Sequence, residues 1–209
     1  LDENTLVIFT SDNGPETLDR YPSANHSYGV ATPLRGMKLW TTDAGFRVAG
    51  LMRWPGKIES SQTQSQAISA LDFLPTFCKL ANTRPPRGLE LDGVDIRAVF
   101  QGKIVKRSKP LVWAFYNAIN EQRVAMRDGQ WKVLAKLDLP KLQNLHDGNV
   151  DDVKAAQLSD FELYDMSLDF GEAENLARSN PETLTALRKK LERGYRELLD
   201  DSYVWKRQI

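Results

Sequence analysis

TLVIFTSDNGP, residues 5–15, joins an apolar run directly to a polar turn. Residues 5–10 are β-prone and apolar on both faces, which is typical of a parallel strand that is covered on both sides. In open α/β sheets ligands bind beyond the carboxyl ends of such strands, where Asp12 and Asn13 lie. Their oxygens suit Ca²⁺ or Mg²⁺, although Ca²⁺ takes roughly six to eight oxygen ligands. The alternative is an Asx-type turn, in which both side chains bond nearby backbone N–H groups.

The composition is that of an ordinary globular protein of one or two domains. The chain has 209 residues, of which 41% are hydrophobic and 27% charged. The 28 Lys and Arg residues balance the 28 Asp and Glu residues, which argues against a general nucleic-acid or anionic-membrane binder. Cys78 is the single cysteine, so an intrachain disulfide and a Cys-rich zinc site are excluded. No apolar stretch approaches the roughly 20 residues of a membrane span.

The first half of the chain has the pattern of an α/β protein with one long loop. Residues 14–45 are rich in turn-forming residues and lack a sustained period, and a loop of that length is usually functional. Further strands are predicted at Phe46–Trp54 and Gln66–Ala70. Asp72 is a plausible N-cap for a helix predicted over Phe73–Ala81, where a buried Cys78 is expected.

The second half has a different pattern, which predicts a small antiparallel sheet and one covering helix. Asp128-Gly129 is a two-residue hairpin signal between two of its strands. After Asn180 and Pro181, leucines and a tyrosine recur at helical spacing from Leu184 to Leu198, which predicts one apolar helix face. The sheet strands are predicted at Leu111–Tyr116, Gln122–Arg127, Gln130–Leu137 and Phe161–Met166.

A second polar stretch, PLRGMKLWTTDAGFRVAGLMRWPGKI, spans residues 33–58. Lys38 lies there between Gly36 and a Thr-Thr pair. A lysine in such a loop is commonly a solvated surface charge. Beside a metal it could instead hold an anionic substrate, because an ammonium group on ester oxygens stabilises developing negative charge.

These stretches together resemble the formylglycine-dependent sulfatase family, which includes arylsulfatases and N-acetylgalactosamine-6-sulfatases. The resemblance extends over nearly the whole chain and implies its C-terminal portion. It implies an alkaline-phosphatase-like α/β catalytic domain whose C-terminal part is residues 1–105. A small α+β subdomain, the antiparallel sheet with its packed helix, would then occupy residues 106–209. The matching pieces occur in family order: TLVIFTSDNGPE, LRGMKLWTTDAGFRV with WPGKI, ALDFLPTFCKLA, LDGVDIRAVFQGK, MRDGQWKVL and LYDMSLDFGEAENLA.

The resemblance also implies roles for individual residues. Asp12 and Asn13 match the family's calcium ligands, and Lys38 matches the lysine that contacts the substrate sulfate. The chain departs from the commoner G-G-K form, since it has Gly36-Met37-Lys38. His26, in the loop before Lys38, is a further candidate for lining the substrate cleft. A solvated loop histidine is the alternative.

The family nucleophile, a formylglycine made from a [C/S]-x-P-x-R motif, has no counterpart in these residues. We therefore expect formylglycine and most calcium ligands in a missing N-terminal part, and no sulfatase activity from this chain alone. The alternatives are a phosphodiesterase or phosphonate hydrolase of the same superfamily and a non-catalytic binding module. Asn13 favours Ca²⁺ and sulfate, because phosphoesterase relatives often carry histidine there.

The expected substrate is a sulfated small molecule or a sulfated carbohydrate, and no nucleic-acid partner is expected. The sequence leaves the oligomeric state open. Family resemblance alone implies an extracytoplasmic location, whether periplasmic, secreted or lysosomal.

Overall fold

The computed structural model describes residues 2–18, 29–140, 142 and 147–202. The chain forms two compact units, each made of two segments. The first unit contains Leu1–Ser11 and Ala49–Leu111, and the second contains Asp12–Val48 and Val112–Ile209. The polar turn that follows the first strand thus belongs to the same unit as the C-terminal half of the chain. The domain division at residues 105 and 106 stays a prediction.

A four-stranded sheet dominates the C-terminal half, with the strand order β3-β4-β5-β6. β5 pairs antiparallel with both of its neighbours. The small antiparallel sheet is therefore confirmed, with strand ends that differ from the predicted ones by a few residues. The strands are β3 at Leu111–Phe115, β4 at Arg123–Asp128, β5 at Trp131–Leu137 and β6 at Leu158–Asp165.

β4 and β5 form the predicted hairpin, but its loop lies one residue later than expected. The last strand pair is Asp128 with Trp131, so the two loop residues are Gly129 and Gln130. Gly129 has a φ of +59°. This left-handed conformation favours glycine, which has no Cβ to clash with the backbone.

Helix α4, Pro181–Asp200, covers one face of this sheet and confirms the predicted helix. Its apolar side runs through Leu191 and Tyr195 to Leu199, instead of ending at Leu198, which is exposed. The spacing of four from Tyr195 to Leu199 keeps both residues on one side of the helix. A short helix that the sequence did not predict, α3 at Val150–Ala155, adds Val153 to the same cluster. The strand residues in this core are Val124, Met126, Val133, Ala135, Leu137 and Leu163.

The opposite face of the sheet is covered by the loop that precedes the first helix. Helix α1 spans Asp43–Phe46, where the sequence predicted the end of the long loop and, at Phe46, the start of a strand. Phe46 stacks on Trp113 with ring centroids 4.3 Å apart. Both rings pack on a second buried cluster of the sheet, made of Ala125, Leu134, Tyr164 and Met166.

In the first unit, β1 (Val7–Phe9) and β2 (Leu51–Arg53) form a two-stranded antiparallel ribbon. The predicted parallel, doubly covered strand is therefore wrong for this chain, since β2 is the one strand beside β1 among the described residues. Phe9 is 63% exposed and Leu51, its partner across the ribbon, is 62% exposed. A two-stranded ribbon cannot bury either of its own faces, which explains why an apolar strand is exposed here.

The remainder of the first unit is built around helix α2, Phe73–Leu80, which confirms the predicted helix. Cys78 is buried in it, as expected. The strand predicted at Gln66–Ala70 is wrong, because a capping box forms there instead. The Ser69 hydroxyl accepts from the Leu71 N–H, and the Asp72 carboxylate accepts from the Ser69 N–H at 2.8 Å.

Candidate active site

The structure brings the two polar stretches of the sequence into direct backbone contact. The Lys38 N–H donates to the Pro15 carbonyl at 2.9 Å, and the Gly14 N–H donates to the Gly45 carbonyl at 3.0 Å. The turn carrying Asp12 and Asn13 therefore lies against the loop carrying Lys38. All of these residues belong to the second unit.

The contact between the two stretches requires glycine at position 14, and the tight fold of the Lys38 loop requires glycine at position 45. A Cβ on Gly14 would lie 1.6 Å from the Ala44 carbonyl oxygen. A Cβ on Gly45 would lie 2.0 Å from the Trp40 carbonyl oxygen. No side chain fits at either distance, so the two backbones touch without an intervening side chain.

The Asp12–Asn13 pair is ordered by short local hydrogen bonds. The Asn13 N–H donates to Asp12 Oδ1 at 2.9 Å, and Asn13 Nδ2 donates to the Gly14 carbonyl at 3.0 Å. Because the amide nitrogen is turned toward the backbone, the amide oxygen lies on the other side of the group. One carboxylate and one amide oxygen are the kind of ligand that Ca²⁺ takes, but they are too few to hold it alone.

The rest of the candidate set is only partly described. His26 lies outside the described residues. Among the described residues, no group of three or more His, Cys, Asp or Glu side chains is arranged to hold a metal ion. Lys38 is half-buried and has no carboxylate partner in the described part of the chain, whereas Lys132, Lys136 and Lys190 all form ion pairs.

One end of the Lys38 loop is fixed by a buried ionic cluster at Asp43. The Lys132 ammonium lies 2.6 Å from Asp43 Oδ1 and 2.5 Å from Glu172 Oε1. Glu172 Oε2 also accepts from the Asp43 N–H at 3.0 Å. Burial raises the pKa of the Glu172 carboxyl, and the neighbouring Lys132 opposes that effect. Lys132 also lies 4.5 Å from the centroid of the Phe46 ring.

The other end of the loop is fixed at Arg35 by a second polar network. Arg35 donates to the Tyr164 hydroxyl at 3.0 Å, and Tyr164 donates to Glu162 Oε2 at 2.7 Å. Arg123 pairs with Glu162 Oε1 at 2.5 Å. Burial acts to raise the pKa of Glu162, but the Tyr164 hydrogen bond and the Arg123 charge outweigh it and lower that pKa. Burial and Glu162 raise the pKa of Tyr164 well above its usual range, so the phenol remains a donor.

Sequence reasoning missed Lys132 and Glu172, although both lie in stretches that carry the family resemblance. The one available signal was local. Lys132 occupies a position in β5 whose neighbours Val133, Leu134 and Ala135 are all buried, and a lysine in such a strand requires a buried partner. The sequence could not show which carboxylates supply it.

Comparison with known proteins places these motifs in one family. The family model described as Sulfatase matches residues 1–83. An N-acetylgalactosamine-6-O-sulfatase of Bacteroides thetaiotaomicron is 29% identical over 92% of this chain and 36% of its own length. Arylsulfatase A of Homo sapiens is 34% identical over 90% of this chain and 37% of its own length. The chain belongs to the sulfatase family.

The fold of this sulfatase chain agrees with solved structures. The crystal structure of Ps i-CgsB in complex with k-i-k-neocarrahexaose matches with a TM-score of 0.68 and 26% identity, over 92% of this chain and 37% of that one. The α/β, alkaline-phosphatase-like class is confirmed. The chain spans just over a third of the length of each of these relatives. No helix within the described residues is long and apolar enough to cross a membrane.

Proposed function

We propose that the protein containing this chain hydrolyses sulfate esters, with Lys38 binding the sulfate group and Asp12 and Asn13 contributing to a calcium site. The observation that carries the proposal is the 2.9 Å hydrogen bond from the Lys38 N–H to the Pro15 carbonyl. It holds the backbone of Lys38 against the turn that carries Asp12 and Asn13, and the Lys38 ammonium has no carboxylate partner among the described residues. Family membership supports sulfate as the anion.

The proposed chemical role of Lys38 is electrostatic. An ammonium group fixed beside a sulfate ester stabilises the negative charge that develops on its oxygens as the ester bond breaks. Bound calcium would supply further positive charge. Asp12 and Asn13 would supply two of its ligands, and the others would come from residues outside this chain.

The nucleophile is proposed to be a formylglycine outside residues 1–209. No Cys or Ser in this sequence begins an x-P-x-R motif, since Thr83 and Ala31 stand where the motif requires Cys or Ser. Cys78 is buried in α2 and lies outside any such motif. The 209 residues alone are therefore proposed to be inactive.

Carbohydrate sulfates are the proposed substrate class. One relative is named for N-acetylgalactosamine 6-O-sulfate, and a structural match at 26% identity was solved with a neocarrahexaose. His26 is proposed to line the substrate cleft, since it lies in the loop before Lys38. An extracytoplasmic or lysosomal location follows from family membership as part of the same proposal.

The test is turnover by the complete gene product that contains these residues. We expect hydrolysis of p-nitrophenyl sulfate, loss of activity with a chelator and recovery with Ca²⁺. Lys38→Ala should lower kcat by about 10²-fold or more. Faster turnover of p-nitrophenyl phosphate would instead indicate a phosphoesterase. Turnover by residues 1–209 alone would contradict the assignment of the nucleophile.

A further inference from the structure

We infer that Lys132, on the C-terminal sheet, is a positioning residue for the sulfate-binding lysine. It acts through Asp43 and the loop that carries Lys38. The inference rests on the proposed function for its catalytic consequence, and the placement of the loop can be tested separately. Nothing in the sequence motifs assigns a role to Lys132.

The position of Lys132 in the sheet directs its side chain to the loop-covered face. It pairs with Arg127 on β4 and Tyr164 on β6, which flank it on that face. Its neighbours along the strand, Trp131 and Val133, face the helix α4 side. Lys132 is 1% exposed, so its ammonium has left water entirely for its two carboxylate partners.

The path from this ammonium to Lys38 runs along the short loop of residues 35–45, which several hydrogen bonds tie together. Asp43 is the first residue of α1, and the Gly45 N–H donates to the Thr42 carbonyl at 2.9 Å. Thr42 Oγ1 donates to the Arg35 carbonyl at 2.7 Å, which closes the loop around the lysine. The Trp40 N–H donates to the Met37 carbonyl at 3.1 Å. Displacement of Asp43 would therefore move the whole turn.

The ionic cluster of Lys132, Asp43 and Glu172 contributes more to the position of the loop than to the stability of the fold. Replacing buried ion pairs with well-packed apolar side chains of similar volume is often neutral or stabilising, because desolvating the charges is costly. An apolar side chain at position 132 could fill the space but could not orient the Asp43 carboxylate. Arg47, at 3.4 Å from Asp43 Oδ2, is half exposed and cannot replace a fully buried partner.

The first experiment measures amide hydrogen exchange in the 209-residue chain. In Lys132→Met we expect the amides of residues 36–46 to lose protection, while those facing α4 keep it. Leu191→Ala is the matched control, because it damages the opposite face of the same sheet. It should lower protection at α4 and leave residues 36–46 as they are. Glu172→Gln, which keeps the volume and the acceptor for the Asp43 N–H, is a milder variant should Lys132→Met fail to fold.

The second experiment measures p-nitrophenyl sulfate turnover by the complete gene product. Lys132→Met should lower kcat/KM by about 10²-fold, the loss expected from a misplacement of about 1 Å, and Leu191→Ala should leave it unchanged at a temperature where both variants are folded. Wild-type exchange at residues 36–46 in both Lys132→Met and Glu172→Gln would overturn the inference, whatever the activity. An equal loss of kcat/KM in Leu191→Ala would overturn it as well. Wild-type protein without sulfatase activity would refute the proposed function and leave the exchange result to decide the placement of the loop.

Discussion

The two compact units of this chain have different kinds of interior. The second unit buries an apolar cluster completely, including Val124, Met126 and Leu191. In the first unit a carboxylate, Asp72, is the side chain that water reaches least, while Phe9 is mostly exposed. The sheet of the second unit is covered by a helix and a loop and forms an apolar cluster, whereas the two-stranded ribbon of the first unit leaves its apolar strand exposed.

The interior of the first unit is organised around Asp72. Its two oxygens accept from the Ser69 N–H at 2.8 Å and the Val94 N–H at 2.9 Å, and Arg107 pairs with one of them. The carboxylate thus connects three separate segments of the unit. A buried charge fully supplied with donors is stable, but the loss of one partner leaves the others uncompensated.

The largest effect is expected from Asp72→Asn. The amide cannot accept from both backbone donors and also neutralise Arg107, so unfolding of the first unit should become easier by about 3–5 kcal/mol. Asp95→Asn is the control, because the Asp95–Arg97 pair is partly exposed and should matter little. Urea unfolding, monitored by hydrogen exchange of the α2 amides, measures the stability of the first unit in both variants. Similar stability of the two variants would mean that Asp72 is not the organising group.

A comparable loss of stability in the second unit is expected from truncation of a buried apolar side chain. Leu191→Ala removes a fully buried side chain from the cluster under α4 and should cost about 2–5 kcal/mol. Leu198→Ala, seven residues later on the same helix, should cost far less because Leu198 is 39% exposed. Urea denaturation midpoints of the two variants test which side of helix α4 packs on the sheet. Equal losses would show that the apolar side ends at Leu198 after all.

A smaller, pH-dependent effect is expected at Glu162. Its pKa in the folded chain is lowered from the ordinary value of 4.5. The unfolded chain therefore takes up the proton first, so stability that is present above pH 4.5 is lost as the pH falls through the folded pKa. Glu162→Gln should flatten this acid-side loss, measured as urea midpoints from neutral to acidic pH. The exposed Glu174→Gln should retain the wild-type slope, and an unchanged slope in Glu162→Gln would contradict the assignment.

The smallest effect on stability is expected from Phe9→Ser. Because Phe9 is already exposed, the free energy of unfolding should change by less than about 0.5 kcal/mol, while binding of a hydrophobic dye should decrease. Phe100→Ser is the matched change at a buried position of the same unit and should cost about 3–5 kcal/mol. A large loss in Phe9→Ser would mean that β1 is covered in solution, and the contrast between the units would fail.

Features that depend on residues close together in the sequence could be predicted, and features that depend on distant residues could not. The hairpin at Gly129 and helix α4 depend on residues close together in the chain, and both are confirmed. The exposure of β1 could not be predicted, since an apolar run carries no information on what covers it. The Asp43–Lys132 pair joins residues 89 positions apart, and no local pattern specifies such a partner.

The candidate site shows the same limit. Asp12, Asn13 and Lys38 were proposed from the motifs that contain them. The turn that follows Asn13 is hydrogen-bonded to the loop that carries Lys38, but the roles of the three residues stay proposals. The polar networks at Arg35 and Asp43 were not anticipated. Each depends on charged strand residues whose burial is decided by the loop that folds over them.

The close approach of Gly14 to Ala44 has an evolutionary consequence. Because the two backbones touch directly, a substitution that adds a side chain at position 14 would have to be accompanied by a displacement of the turn at positions 44 and 45. The turn that carries Asp12 and Asn13 and the loop that carries Lys38 therefore cannot diverge independently. Across related sequences, a change in the spacing of one should coincide with a change in the other, and swapping only one of them between relatives should yield an inactive chimera.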